Sequence, residues 1–250
     1  ATSINIGTDE SKNVKLTVPI TLGDEVSEQL GMQYFSLKDS VDISVSISGP
    51  KYVIGQVTKD DLNVKFDTSS VSRTGEQTIP ILVTNGSKTL DFTVESVYPS
   101  SVEGYFDIST SKNFDVEVEY DEGAIADGYF FGTPVLSEDK VVVSGPKTYI
   151  DKIESVYVNV DFGTATNIKE TVNTTSSIEI KGNGVEERYL TITPVKDDSS
   201  KIEKLSVALP VLKIVDLPVK VDIEDVPAGL KTTDYSIYYS QSSIKGGVLD

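Results

Sequence analysis

Ser48 and Ser144 each open a Ser-Gly-Pro triplet, and each has a lysine three residues further on, Lys51 and Lys147. A serine becomes a nucleophile when an adjacent base takes its proton. The chain contains no histidine, so in this spacing lysine is the base on offer. A turn that wants a small polar residue accounts for the same spacing without chemistry. The triplet also occurs twice, and one enzyme seldom needs its nucleophile twice. The turn is the preferred reading, and no catalytic residue is assigned.

Carboxylates cluster at 59–61, 120–123, 186–187, 196–198 and 222–225. Calcium and similar cations take about six to eight oxygen ligands from a loop of defined spacing. None of these runs has the EF-hand order, so most are read as solvated loop faces. Asp222, Glu224 and Asp225 are the candidate metal ligands, at a position expected to be a junction between units. Paired acids could also serve glycoside hydrolysis, but small β-repeats offer no obvious deep cleft to face them across. The phrase "GNGVEE" at 182–187 lacks the third glycine and following helix of a dinucleotide fingerprint and is read as a turn.

Composition narrows the classes further. A net charge of −17 repels phosphates and anionic lipid surfaces, and the two arginines, Arg73 and Arg188, cannot furnish a basic groove. Absence of cysteine excludes disulfides and thiolate metal sites. No signal peptide opens the sequence, and its most apolar stretch, 205–219, is interrupted by Lys213 and Asp216 and falls short of a membrane span. Any membrane anchor is expected to lie outside this sequence, and no cofactor is expected.

The elements that must hold these residues repeat. "SKNVKLTV" at 11–18 returns as "SKNFDVEV" at 111–118, a shift of 100. Gly49-Pro50 returns as Gly145-Pro146 at a shift of 96, and Val64 and Asp67 meet Val158 and Asp161 at 94. A third copy begins, with 217–223 resembling 112–118 and Gly246-Gly247 standing where Gly-Pro stood. Either the sequence is cut at the turn of that third unit, or its last strands complete something in the preceding one. Val, Ile and Thr alternate with polar residues over most of the chain, the period of half-buried strands. Each unit therefore reads as strand, loop, strand, Gly-Pro turn, short helix, strand and hairpin, with proline at the first helical position. Ile54 and Val57, like Ile150 and Ile153, then share one apolar face. The fold class is all-β with short helical turns: unit 1 at 1–99, unit 2 at 100–215, a partial third at 216–250. The junctions near 97–104 and 212–218 are neither long nor Gly/Ser-rich, so an elongated, semi-rigid rod is expected. Hairpins are expected at 83–90, on Asn85-Gly86, and at 178–192, on Gly182-Asn183-Gly184. Tyr235 and Tyr239, in "YSIYYS" at 235–240, the densest aromatic cluster, share one strand face and are read as core or a stacking contact between units.

The order of a strand running into Gly-Pro, a short apolar helix, an alternating strand closing on Asp, and an upstream Gly-Tyr resembles the YbbR-like domain family. In unit 2 the matching residues are Phe114, Val116, Val118, Gly128, Tyr129, Val141, Val143, Gly145, Pro146, Ile150, Ile153 and 158–161. Gly49, Pro50, Ile54 and Val57 carry the same motif in unit 1, which lacks a clear Gly-Tyr pair. The resemblance implies tandem β-rich modules on the outer face of a bacterial cell, membrane-anchored in the full-length protein. It further implies a scaffold or interaction role, such as the exported part of a regulator of the membrane-bound cyclic-di-AMP synthase, with that cyclase as protein partner. It supplies no catalytic residues. The alternative is a cell-surface adhesive or carbohydrate-binding protein with immunoglobulin-like repeats.

Overall fold

The computed structural model describes residues 8–22, 29–35, 38–218, 228–229 and 243–248. Alternating apolar residues build seven strands up to residue 107: β1 (Asp9–Pro19), β2 (Gln33–Phe35), β3 (Ser40–Pro50), β4 (Leu62–Phe66), β5 (Gly75–Asn85), β6 (Thr93–Tyr98) and β7 (Ser101–Asp107). Ten more follow: β8 (Ser109–Tyr120), β9 (Tyr129–Phe131), β10 (Val135–Leu136), β11 (Lys140–Pro146), β12 (Ser155–Val160), β13 (Val172–Lys181), β14 (Thr191–Pro194), β15 (Lys204–Leu209), β16 (Val211–Pro218) and β17 (Ser243–Val248). Two four-residue helices, α1 (Lys51–Ile54) and α2 (Lys147–Ile150), follow the Gly-Pro pairs. The chain is all-β.

The strands form two compact units built from discontinuous segments. The first comprises 1–112 with 142–153 and 182–191, so α2 and the 182–191 turn are counted with it. The second comprises 113–141, 154–181 and 192–250.

In the first unit β3 lies between β1 and β6, and a second sheet runs β2-β7-β5-β4. In β3 the period of two turns Ile43, Val45 and Ile47 inward while the intervening serines face out. These three pack with Val14, Val53, Ile54, Val57, Ile81 and Phe92, and Leu62, Val64 and Phe66 of β4 close on the same core. Burying each such side chain contributes about 1.5–3 kcal/mol. A smaller cluster of Met32, Val71, Ile79 and Phe106 fills the other end of the second sheet.

In the second unit β12 lies between β8, parallel, and β13, antiparallel, and β15 and β10 extend the sheet. Val156, Val158 and Val160 are buried, as are Val116, Leu205, Val207 and Leu209. β16 pairs with β9 through Val211–Lys213 and with β17 through Lys213–Pro218. The register of that last pair reproduces the first repeat. The matched phrases lay Val215 on Glu10; Val215 pairs with Gly246, and Glu10 pairs with Gly49.

Neither expected hairpin forms. β5 pairs with β4 and β7 while β6 crosses to β3. The Asn85 side chain accepts from Ser87 N at 2.8 Å and donates to Leu90 O at 2.9 Å, which shapes a wide loop instead of a two-residue turn. Gly86 is needed for close approach, since a Cβ there would stand 3.3 Å from Asp61 O and Asn63 N. At 178–192 a turn over 183–184 and a 3-10 turn at Glu187–Tyr189 likewise separate β13 from β14. No helix among the described residues is long and apolar enough to cross a membrane.

Candidate functional site

The two Gly-Pro joints share one set of backbone bonds. Gly55 N donates to Lys51 O at 3.1 Å, Gln56 N to Val53 O at 3.0 Å and Val57 N to Ile54 O at 3.2 Å. Ninety-six positions on, Asp151 N donates to Lys147 O at 2.9 Å, Lys152 N to Tyr149 O at 3.0 Å and Ile153 N to Ile150 O at 3.2 Å. This tightening of the last turn brings Val57 and Ile153, which lie past the helix ends, onto the face of Ile54 and Ile150; all four are buried. The prolines stand one residue earlier than expected. Pro50 and Pro146 have ψ of 136° and 128°, extended values that make them N-caps and leave the first helical position to lysine. The glycines before them have φ of +158° and +155°. At Gly145 a Cβ would also meet Leu190 Cδ2 at 2.8 Å and Tyr189 O at 2.9 Å, whereas at Gly49 the nearest atom is at 3.4 Å.

Flanking residues serve the same geometry. Lys12, in the first of the matched "SKN" phrases, donates to Ile54 O at 3.2 Å and Val57 O at 2.8 Å, placing an ammonium on the carbonyl end of α1. Asp67 and Asp161 end matching strands because each closes an Asx turn: Asp67 Oδ1 accepts from Ser69 N at 3.0 Å, Asp161 Oδ1 from Gly163 N at 2.7 Å. The Ser69 hydroxyl and amide hold the Asp67 carboxyl below its ordinary value.

The Ser–Lys pairs do not assemble. The Ser48 hydroxyl donates to Glu95, and Lys51 Nζ lies 3.5 Å from Glu10. Lys147 pairs with Asp151. Each ammonium is thus engaged by a carboxylate. Asp222, Glu224 and Asp225 lie outside the described residues, as do Tyr235 and Tyr239; among the described residues no group of three acidic side chains could hold a metal ion.

The most distinctive cluster in the first unit is aromatic. Tyr105 stacks on Tyr149 at 5.2 Å and on Tyr189 at 5.0 Å, and the Tyr149 and Tyr189 rings are 6.0 Å apart and nearly parallel at 7°. The Tyr105 hydroxyl donates to Asp107 Oδ2 at 3.3 Å. Asp107 is only 2% exposed and also accepts from Ile108 N at 2.7 Å and Thr148 N at 3.0 Å, so from a distant strand it satisfies a first-turn amide of α2 that the Pro146 N-cap has no side-chain acceptor for. Burial, above all, pushes the Tyr105 phenol well above its ordinary range, and the Tyr189 phenol up in the same direction. Arg188 lies 5.0 Å over the Tyr189 ring and 3.4 Å from both Glu76 and Glu186. Beside them is a cavity of about 390 Å³ lined by Tyr34, Phe35, Lys38, Glu76, Tyr105 and Arg188 among others. The arrangement offers stacked rings and mixed charge, the chemistry of packing and recognition. Sequence reasoning missed it because Tyr105, Tyr149 and Tyr189 share no periodicity; the one usable signal was the Gly-Tyr pair at 104–105, where a Cβ on Gly104 would strike Tyr34 at 2.6 Å.

Comparison with known proteins bears on the second repeat. Among solved structures, a YbbR-like protein from Streptococcus pneumoniae aligns over 82% of this chain and 96% of its own, at 12% identity and a TM-score of 0.38. No curated protein matches. Residues 114–196 match the family model described as YbbR-like protein, a span that takes in Phe114, Gly128-Tyr129, the Gly145-Pro146 joint and the strand closing on Asp161. Residues 114–196 of this chain belong to the YbbR-like family.

Proposed function

We propose that this chain is a non-enzymatic scaffold of tandem YbbR-like units, at 1–99 and 100–215 with a third starting at 216, acting outside the cytoplasm as an interaction module. The observation that carries the reading is the Gly-Pro joint, whose three backbone bonds recur at a fixed shift of 96 in a second copy that matches the family. A device repeated with its apolar anchors intact serves architecture, whereas a reaction needs one constellation, and function on such a scaffold resides in its surfaces. The chain is acidic, at −17 overall, which suits a protein partner and not nucleic acid.

The partner we propose is a membrane-bound cyclic-di-AMP synthase, with this chain as the exported part of its regulator. Cyclic di-AMP should be measured in cells with and without the full-length protein, and in cells carrying it with Gly145→Val. A changed nucleotide level on deletion, reproduced by the Gly145 variant, supports the regulator. Unchanged levels overturn the cyclase as partner while leaving the scaffold in place, and in that case cross-linking on intact cells identifies what the surface binds.

A further inference from the structure

The sequence joins asparagine to glycine twice, at Asn85-Gly86 and Asn183-Gly184. In such a pair the glycine backbone nitrogen, unshielded by a Cβ, can attack the asparagine side-chain carbonyl carbon. The new C–N bond closes a succinimide, the amide C–N bond breaks, and ammonia leaves with the proton that the glycine nitrogen gave up. Water then opens the ring to aspartate or isoaspartate. No oxidant or reductant is involved.

The fold treats the two pairs in opposite ways. Asn85 accepts from Ser87 N at 2.8 Å and donates to Leu90 O at 2.9 Å and Phe92 O at 3.3 Å, and Gly86 N is committed to Asp61 O at 2.8 Å. Electrophile and nucleophile are both held. Asn183 is exposed at the tip of its turn, its side chain makes no hydrogen bond among the described residues, and Gly184 is exposed with φ of +73°. A Cβ on Gly184 would lie 3.7 Å from Lys152 Nζ. An ammonium there favours the deprotonated amide nitrogen that makes the attack.

We propose that Asn183-Gly184 is a self-modification site, where asparagine converts to isoaspartate and sets a new carboxylate beside Lys152. Lys152 Nζ also lies 5.8 Å from the Tyr149 ring, so the added charge forms next to the tyrosine cluster. The test incubates the full chain in mildly alkaline buffer and follows both asparagines by peptide mapping with isoaspartate detection. Asn183 is expected to be lost on the order of tenfold faster than Asn85, whose three hydrogen bonds must loosen first. In concentrated urea the two pairs should react at similar rates, which assigns the difference to the fold. The Lys152→Met chain should lose Asn183 about threefold more slowly. Asn183 outlasting or matching Asn85 in the native chain, or a disparity that persists in urea, overturns the site. An unchanged rate in Lys152→Met overturns the part given to the ammonium.

Discussion

β4 and β12 hold matching places after their Gly-Pro joints, yet β12 has ladder partners on both sides, β8 and β13, while among the described residues β4 is bonded to β5 alone. The difference begins in the four residues 58–61, which stand where the second repeat has two, 154–155. In the first repeat they form a 3-10 turn whose Thr58 and Asp61 satisfy each other in a capping box. The apolar residues of β4 are half-buried; Val156, Val158 and Val160 of β12 are buried. The joint itself is indifferent to this, because its bonds close within seven residues. The lesson is that a local device can be copied intact while the sheet it feeds closes differently, since strand pairing depends on the length of chain between device and strand.

The largest effect should come from the glycines. Gly145→Ala places a Cβ within 2.9 Å of a backbone oxygen and should cost roughly 3 kcal/mol, whereas Gly49→Ala, with ordinary space around it, should cost about 1 kcal/mol. Denaturant titration of both variants measures this, and equal losses would break the distinction between the joints. Next, Val158→Ala should cost about 2 kcal/mol and Val64→Ala about half as much, because only the former is fully buried. Equal costs would show that the two strands are equally enclosed despite their different pairing.

Asp107→Ala strips the acceptor from Ile108 N and Thr148 N and should lower stability by about 2 kcal/mol, and Asp107→Asn by less because its carbonyl oxygen still accepts. A loss in Asp107→Ala no larger than for an exposed site would remove the carboxylate from the support of α2. Hydrogen exchange sharpens the strand comparison. Asp67 N bonds to Pro80 O and Gly86 N to Asp61 O, so by antiparallel alternation the amides of Val64 and Phe66 point away from β5. They should exchange faster than those of Val156 and Val158, which have neighbours on both sides.

The smallest effect is a dependence on alkaline pH. The folded-state pKa values of Tyr105 and Tyr189 are raised above those of the unfolded chain, so the folded state holds protons the unfolded state has released. Their contribution is complete below the unfolded tyrosine value of about 10 and is lost as pH rises beyond it. Melting temperature should therefore fall above that pH more steeply in the native chain than in a Tyr105→Phe chain.

The joint was legible because everything it needs is contiguous: a glycine, a ring with fixed φ, and two apolar residues three apart. The "SKN" phrase and the strand-ending aspartates were visible as repeats before their reasons were, and the structure supplies those reasons as a helix-end ammonium and two Asx turns. No tight turn forms on Asn85-Gly86 because the Asn85 side chain is bonded to three groups of its own loop; Asn183-Gly184 does turn, but a 3-10 turn at Glu187–Tyr189 then separates β13 from β14. The Ser-x-x-Lys spacing looked chemical on paper, and the carboxylates of Glu10 and Asp151 take the lysines elsewhere.

By itself, then, the order of residues determined the all-β character, the repeat and its turn, because alternation and backbone restriction act over a few residues. Only the tertiary structure decided that β12 closes a sheet where β4 does not, and that Tyr105, Tyr149 and Tyr189 meet around Asp107. Those outcomes depend on contacts between residues about twenty or more positions apart, whose geometry no local pattern encodes.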